Sequence, residues 1–182
     1  MRKSILLLMT VFILSLIDAC ICRDSKYLDF EGITIVVDEP TISQGDSLVL
    51  FLEPLDVRYV GQASPTFSLF SSTYAAIDCD YGWGGLKFPL SSVSISSDQG
   101  FNSDYPAGTE LNELFFLDTY IYEFPGDERI KPLAEVDLES LISSELILRE
   151  FPTASKEHVF RIDLIREKGD TLTAFSPAVS WE

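Results

Sequence analysis

Basic side chains are scarce in this chain: 13 Lys and Arg stand against 29 Asp and Glu, for a net charge of −16. Nucleic acid and bare anionic lipid are therefore excluded as expected partners, because the long-range electrostatic contribution to either is repulsive. The acidic balance itself reads as the solubility of an exposed surface. Histidine is limited to His158, and cysteine to Cys20, Cys22 and Cys79. Two cysteines, Cys22 and Cys79, and one distant histidine form no ligand set with zinc spacing, and neither a metal centre nor a cofactor is expected. There is no Gly-x-Ser-x-Gly turn, no internal repeat, no heptad run and no low-complexity linker. Helical periodicity is sparse, and the apolar runs are short.

The longest apolar run, residues 5–17, is interrupted only by Thr10 and Ser15 and follows Arg2 and Lys3. As a helix it would extend about 20 Å, against roughly 30 Å of bilayer hydrocarbon. That length suits the apolar region of a secretory signal peptide better than a membrane span. The run ends in Leu16-Ile17-Asp18-Ala19-Cys20, which resembles the bacterial lipobox. The resemblance implies that residues 1–19 are removed and that Cys20 receives a diacylglycerol, with Ile17 at −3 and Ala19 at −1. Asp18 departs from the small or hydroxyl residue usual at −2. The competing readings are ordinary signal-peptidase cleavage after Ala19, which leaves a free thiol at Cys20, and an uncleaved anchor. Lipidation is the expectation, and at least two acyl chains are what stable anchoring requires.

Residues 20–182 carry 11 basic and 28 acidic side chains, a net charge of −17 once Arg2, Lys3 and Asp18 are removed. This length is enough for one domain with a substantial core. Residues 20–29 read as a tether and 30–182 as a single domain. With Cys20 lipidated, Cys22 and Cys79 remain as an even pair in a compartment that permits disulfides. They either bridge or stay apart, with Cys79 buried and Cys22 free on the tether.

The body reads as strands. Ile33–Val37 is rich in β-branched residues and stops before Pro40; Gln44-Gly45-Asp46 then signals a turn into the apolar run Leu48–Leu52. Val57–Val60 and Phe67–Phe70 follow. Ser92-Val93-Ser94-Ile95-Ser96 has the clearest period of two, with serines on one face and apolar residues on the other. Thr119–Phe124 places Tyr120, Tyr122 and Phe124 on one face. Val159–Ile165 and Thr171–Phe175 flank Glu167-Lys168-Gly169-Asp170, the pattern of a hairpin. Thr109 is placed to cap a short turn bearing Leu111, Leu114 and Phe115, and Asp137–Ser143 is expected to be a second short helix. Short strands broken by turn residues predict a mainly β chain, a single antiparallel β-sandwich of immunoglobulin-like or related type.

Candidate chemistry is thin. Asp78-Cys79-Asp80-Tyr81-Gly82-Trp83-Gly84-Gly85 places two carboxylates before glycines, but a third oxygen ligand and a closing Glu are missing at calcium-loop spacing. A glycine-rich turn with Trp83 packed at the sheet edge is the simpler reading. The 98–116 stretch sets Phe101, Tyr105 and Pro106 among polar turn residues. A ligand-facing loop made of Trp83, Phe101 and Tyr105 competes with a plug of Phe101 and Tyr105 at the open end of the sheets. His158 shares parity with Phe160, Ile162 and Leu164, which marks a strand-end residue with a satisfied hydrogen bond. No catalytic residue and no metal ligand is assigned.

The lipobox, the strand-rich body, and Ser92–Ser96 followed by Phe101-Asn102-Ser103-Asp104-Tyr105-Pro106-Ala107-Gly108-Thr109-Glu110-Leu111-Asn112-Glu113-Leu114-Phe115 together resemble uncharacterised lipoproteins of the Bacteroidetes. The resemblance covers about 25 residues plus the general layout. It implies an envelope lipoprotein and transfers no catalytic residue. Surface export in that phylum goes with an acidic run soon after the lipidated cysteine; residues 21–26 lack one. The expected place is the outer membrane, with the domain facing the periplasm. The expectation for function is a non-enzymatic envelope module that binds a protein or glycan or has a structural role. The alternative is a small glycan- or small-molecule-processing enzyme with a carboxylate site around Asp78, Asp80 and the 98–106 loop.

Overall fold

The computed structural model describes residues 26–61, 84–118 and 130–182. Cys20, Cys22, Asp78, Cys79, Asp80, Trp83 and the segments 67–70 and 119–124 lie outside them. The described chain is mainly β, as the pattern of short strands predicts. Its helices are three short 3-10 turns, Asn112–Leu114, Leu133–Glu135 and Leu138–Ser143. Among the described residues, no helix is long and apolar enough to cross a membrane. The chain divides into two units, residues 1–28 with 59–87, and residues 29–58 with 88–182.

Most of β1 (Lys26–Asp29) and of β5 (Arg58–Gly61) belongs to the first unit, where the two strands pair. Lys26–Asp29, read from sequence as the end of the tether, is thus a strand. Residues 84–87 run parallel to it: the Leu28 amide donates to the Gly85 carbonyl at 2.9 Å and the Lys87 amide to the Leu28 carbonyl at 2.9 Å. Gly84 is required by close approach, since a Cβ there would sit 2.9 Å from the Tyr27 ring.

The second unit contains three sheets. The largest runs in the order β2 (Gly32–Val37), β4 (Leu48–Leu55), β9 (Glu145–Leu148), β7 (Phe115–Asp118), β8 (Ile130–Pro132), antiparallel throughout. A three-stranded antiparallel sheet is ordered β12 (Thr171–Phe175), β11 (Phe160–Arg166), β6 (Leu90–Ser97). A small third sheet sets β13 (Val179–Trp181) between β10 (Glu157–His158) and β3 (Thr41–Ile42), with β13 and β3 parallel.

Side-chain alternation decides which face each strand buries. Val93 and Ile95 of β6 are buried beside half-exposed serines, and Phe160, Ile162 and Leu164 of β11 are buried beside Arg161, Asp163 and Ile165. Leu48, Leu50 and Leu52 do the same in β4. The inner faces of the two larger sheets meet where Phe115 of β7 packs edge-on against Phe160 of β11, with ring centroids 6.0 Å apart.

The helical turn expected from Thr109 forms differently. The 3-10 turn Asn112–Leu114 starts after Leu111, with no side-chain cap. The residues before it are taken up by the edge of β6. The Gly108 amide donates to the Ser97 carbonyl at 2.8 Å and the Leu111 amide to the Ile95 carbonyl at 2.7 Å. The Asn112 side-chain amide completes the pairing: its oxygen accepts from the Ile95 amide at 2.9 Å and its nitrogen donates to the Val93 carbonyl at 2.8 Å. An unpaired strand edge offers more hydrogen bonds than an isolated helical turn of this length, so tertiary pairing overrides the local pattern. Phe115, on the same expected helix face, instead begins β7. The helix expected over Asp137–Ser143 forms as the 3-10 turn Leu138–Ser143, and Asp137 caps it by accepting from the Glu139 amide at 3.1 Å.

The β11–β12 hairpin turns at Gly169, whose φ of 91° suits glycine. Arg166 holds the turn from within. Its guanidinium is buried at 5% side-chain exposure, binds both oxygens of Asp170 and donates to the Phe30 carbonyl at 2.8 Å. It lies within cation–π distance of the Phe30 and Phe88 rings, at 5.8 and 5.6 Å from their centroids. The hydrogen bond from Arg166, with Lys168 at 3.2 Å assisting, holds the Asp170 carboxyl below its ordinary value. A lowered carboxylate pKa adds stability that is fully present above the unfolded value near pH 4 and is lost as pH falls through the folded value. Melting curves from pH 7 to pH 2 should therefore show a shallower acid-side loss in Asp170→Asn than in the wild type. An identical acid limb in both would dismiss this pair as a source of acid sensitivity.

Candidate binding face

His158, the single histidine of the chain, is fully buried. Its Nε2 hydrogen is donated to the Ser155 carbonyl at 3.0 Å, so Nδ1 takes the Ser97 hydroxyl as donor at 2.8 Å. Four aromatic contacts close around this pair. The His158 ring stacks on Phe160 at 6.0 Å, meets Trp181 edge-on at 5.3 Å and lies 5.7 Å from Phe101, which itself meets Trp181 at 6.5 Å. A serine hydroxyl on a histidine nitrogen is the first half of a nucleophile, but this one is sealed in the core with both ring nitrogens engaged. Its work is structural: it satisfies the polar atoms of an inward-facing histidine.

Phe101 belongs to the same core. Its side chain is fully buried, so it is withdrawn from the surface where a ligand-facing loop would need it. Its amide donates to the Tyr105 carbonyl at 2.8 Å, and its carbonyl accepts from the Thr153 amide at 2.8 Å. Within this loop the Asn102 side-chain oxygen accepts from the Asp104 and Tyr105 amides at 2.9 and 3.0 Å. Tyr105 stays half-buried at the surface and donates its hydroxyl to Glu113 at 3.2 Å. Partial burial, then the hydrogen bond and charge of Glu113 together with Glu150 and Asp104, raise its phenol above the ordinary value. The structure thus separates Phe101 from Tyr105: one is core and the other is surface. Trp83, the third residue of that expected loop, lies outside the described residues.

The outer face of the β12–β11–β6 sheet is different in kind. Strand register places Phe175, Arg161 and Ser96 side by side across it, then Thr173, Asp163 and Ser94, then Thr171, Ile165 and Ser92. Glu110 extends the first row through its bridge to Ser96. Phe175 is 61% exposed, the largest exposure of any large apolar side chain described. Its position is read from parity, since Leu172 and Ala174 take the buried face and Thr171, Thr173 and Phe175 the open one.

Beside Phe175 the polar groups are pre-set. The Nε of Arg161 lies 3.2 and 3.0 Å from the two oxygens of Asp163, and the Thr173 hydroxyl donates to Asp163 at 2.5 Å. A carboxylate accepts about four hydrogen bonds, so Asp163 retains acceptor capacity. Thr173 has given its hydrogen and presents lone pairs. The half-exposed guanidinium presents donors at its terminal nitrogens. The first two rows therefore offer one apolar ring beside a fixed set of acceptors and donors.

No family model, no curated protein and no solved structure matches this chain. Sequence reasoning named the strand containing Phe175 but missed the residue. The signal was its parity: a phenylalanine shares the polar face of Thr171 and Thr173, where packing gives it no reason to be. Arg161, Asp163 and Thr173 gave no separate signal, because their convergence depends on the register of two strands.

Proposed function

We propose that this protein is a lipid-anchored envelope module that binds its ligand on the outer face of the β12–β11–β6 sheet and performs no chemistry itself. The carrying observation is Phe175, a large ring left in solvent beside the ordered Arg161–Asp163–Thr173 group. Exposed aromatic residues on a rigid sheet are inexpensive to immobilise on binding, because an aromatic side chain has few rotors and the strand already fixes its backbone. Burial of the Ser97–His158 pair supports a non-catalytic reading. The lipobox at Leu16–Cys20 supports anchoring through Cys20, and the absence of an acidic run after it supports a periplasm-facing position at the outer membrane.

The test uses the full chain in its bacterial host. Palmitate label should enter the wild type and be lost in Cys20→Ala. A photo-crosslinking amino acid in place of Phe175 should form an adduct with an envelope component, while the same group in place of exposed Leu55, on β4, should not. Missing label defeats the anchor. No adduct at 175, or equal adducts at both positions, defeats the binding face. Hydrolysis of a glycan or small-molecule substrate, abolished by Asp78→Asn or Asp80→Asn, would replace this reading with the enzymatic one.

A further inference from the structure

We infer that the ligand of this face is an uncharged oligosaccharide lying across the strands, an inference that rests on the outer face being the binding surface. Size decides first. From Phe175 to Glu110 the row crosses three strand-to-strand gaps, or about 14 Å at roughly 4.8 Å each. Along the strands, Thr171 to Phe175 adds about 14 Å more. The grid of named groups therefore measures about 200 Å², the scale of a short chain of linked sugar rings.

Chemistry points the same way. A pyranose ring has an apolar face of C–H groups and a rim of hydroxyls, each both donor and acceptor. Phe175 offers the flat apolar platform, and its neighbours supply the complementary polar groups: acceptors at Asp163 and Thr173, donors at Arg161, and hydroxyls on Ser94 and Ser96. These groups are already ordered by one another, so little side-chain entropy is lost on contact. The alternation of serines along β6, which reads in sequence as a merely solvated face, becomes a ladder of hydroxyls beside this group.

Charge selects against acidic sugars. Arg161 is the cation of the face and is already engaged by Asp163, while Glu110 adds a negative charge at the far end of the row. A uronate or sulfate placed here would meet two carboxylates and a neutralised guanidinium, on a chain whose net charge is −16.

The intact lipoprotein in detergent micelles should be tested by affinity electrophoresis and biolayer interferometry. The uncharged probes are a soluble β-glucan, an α-mannan and a galactan; the anionic probes are polygalacturonate and chondroitin sulfate. Binding to at least one uncharged polymer is expected, with Phe175→Ala lowering affinity at least tenfold and Thr173→Val at least threefold, both at unchanged melting temperature. Unchanged affinity in Phe175→Ala would overturn the inference by placing the sugar elsewhere. Binding to anionic polymers alone, or to none, would overturn the ligand class. If the crosslink at position 175 still forms in cells, that failure belongs to the sugar and not to the face.

Discussion

Phe160→Ala should lower the unfolding free energy by about 3–5 kcal/mol, the range for deleting a fully buried phenylalanine ring. Two features of the site place the cost at the upper end. The ring is fully buried on β11, which is hydrogen-bonded on both sides by β12 and β6, so the backbone has no freedom to close the cavity. It also contacts Phe115, His158 and Trp181 at centroid distances of 6.0, 6.0 and 6.2 Å, joining the core of the largest sheet to the small third sheet. Domains of this kind have about 5–15 kcal/mol of total stability, so the loss is about a fifth of it at the least. Thermal and urea unfolding should report a midpoint lower by roughly 10 °C at an unchanged urea m-value. Phe160→Leu, which keeps most of the volume, should cost less than half as much. A midpoint within 2 °C of wild type for the alanine variant would mean that these sheets do not share the core described.

Arg166→Met should cost about 2–4 kcal/mol, although methionine fills much of the same space. The main loss is the Phe30 carbonyl, which would be left without its buried charged donor. The cation–π contacts with Phe30 and Phe88 go as well. Asp170 behaves differently: its side chain is 39% exposed, so its carboxylate can return to water when the guanidinium is gone. Asp170→Asn alone should therefore cost about 1 kcal/mol or less. The double variant should cost less than the sum of the singles, and the difference, measured by urea unfolding, is the coupling of the pair. If Asp170→Asn proved the costlier single change, the ion pair and not the carbonyl anchor would be the source of stability.

Parity carried most of what could be read in advance. The serine face of β6, the β11–β12 hairpin with glycine at its turn, the Gln44-Gly45 turn and the inward position of His158 all follow from a period of two and from turn chemistry. The readings that changed are those in which a local pattern competed with a distant partner. Leu111, Leu114 and Phe115 have helical spacing, yet the backbone before them bonds to β6 and Phe115 joins β7. Phe101 stands among turn residues, yet it is drawn into the core by His158 and Trp181, residues far along the chain. Arg166 occupies the buried parity of β11 and is tolerated there because Asp170 and the Phe30 carbonyl satisfy its charge.

The mainly β character of the chain, and the face that most of the named strands turn inward, are legible in consecutive residues, because alternation along a strand is a local property. The proposal of a lipid anchor at Cys20 rests likewise on consecutive residues, the lipobox-like Leu16–Cys20. The gathering of Phe175, Arg161, Asp163 and Thr173 on one surface emerges from the pairing of separate strands. Their proximity is set by hydrogen-bond register between strands, and register is a relation between segments that no single segment encodes.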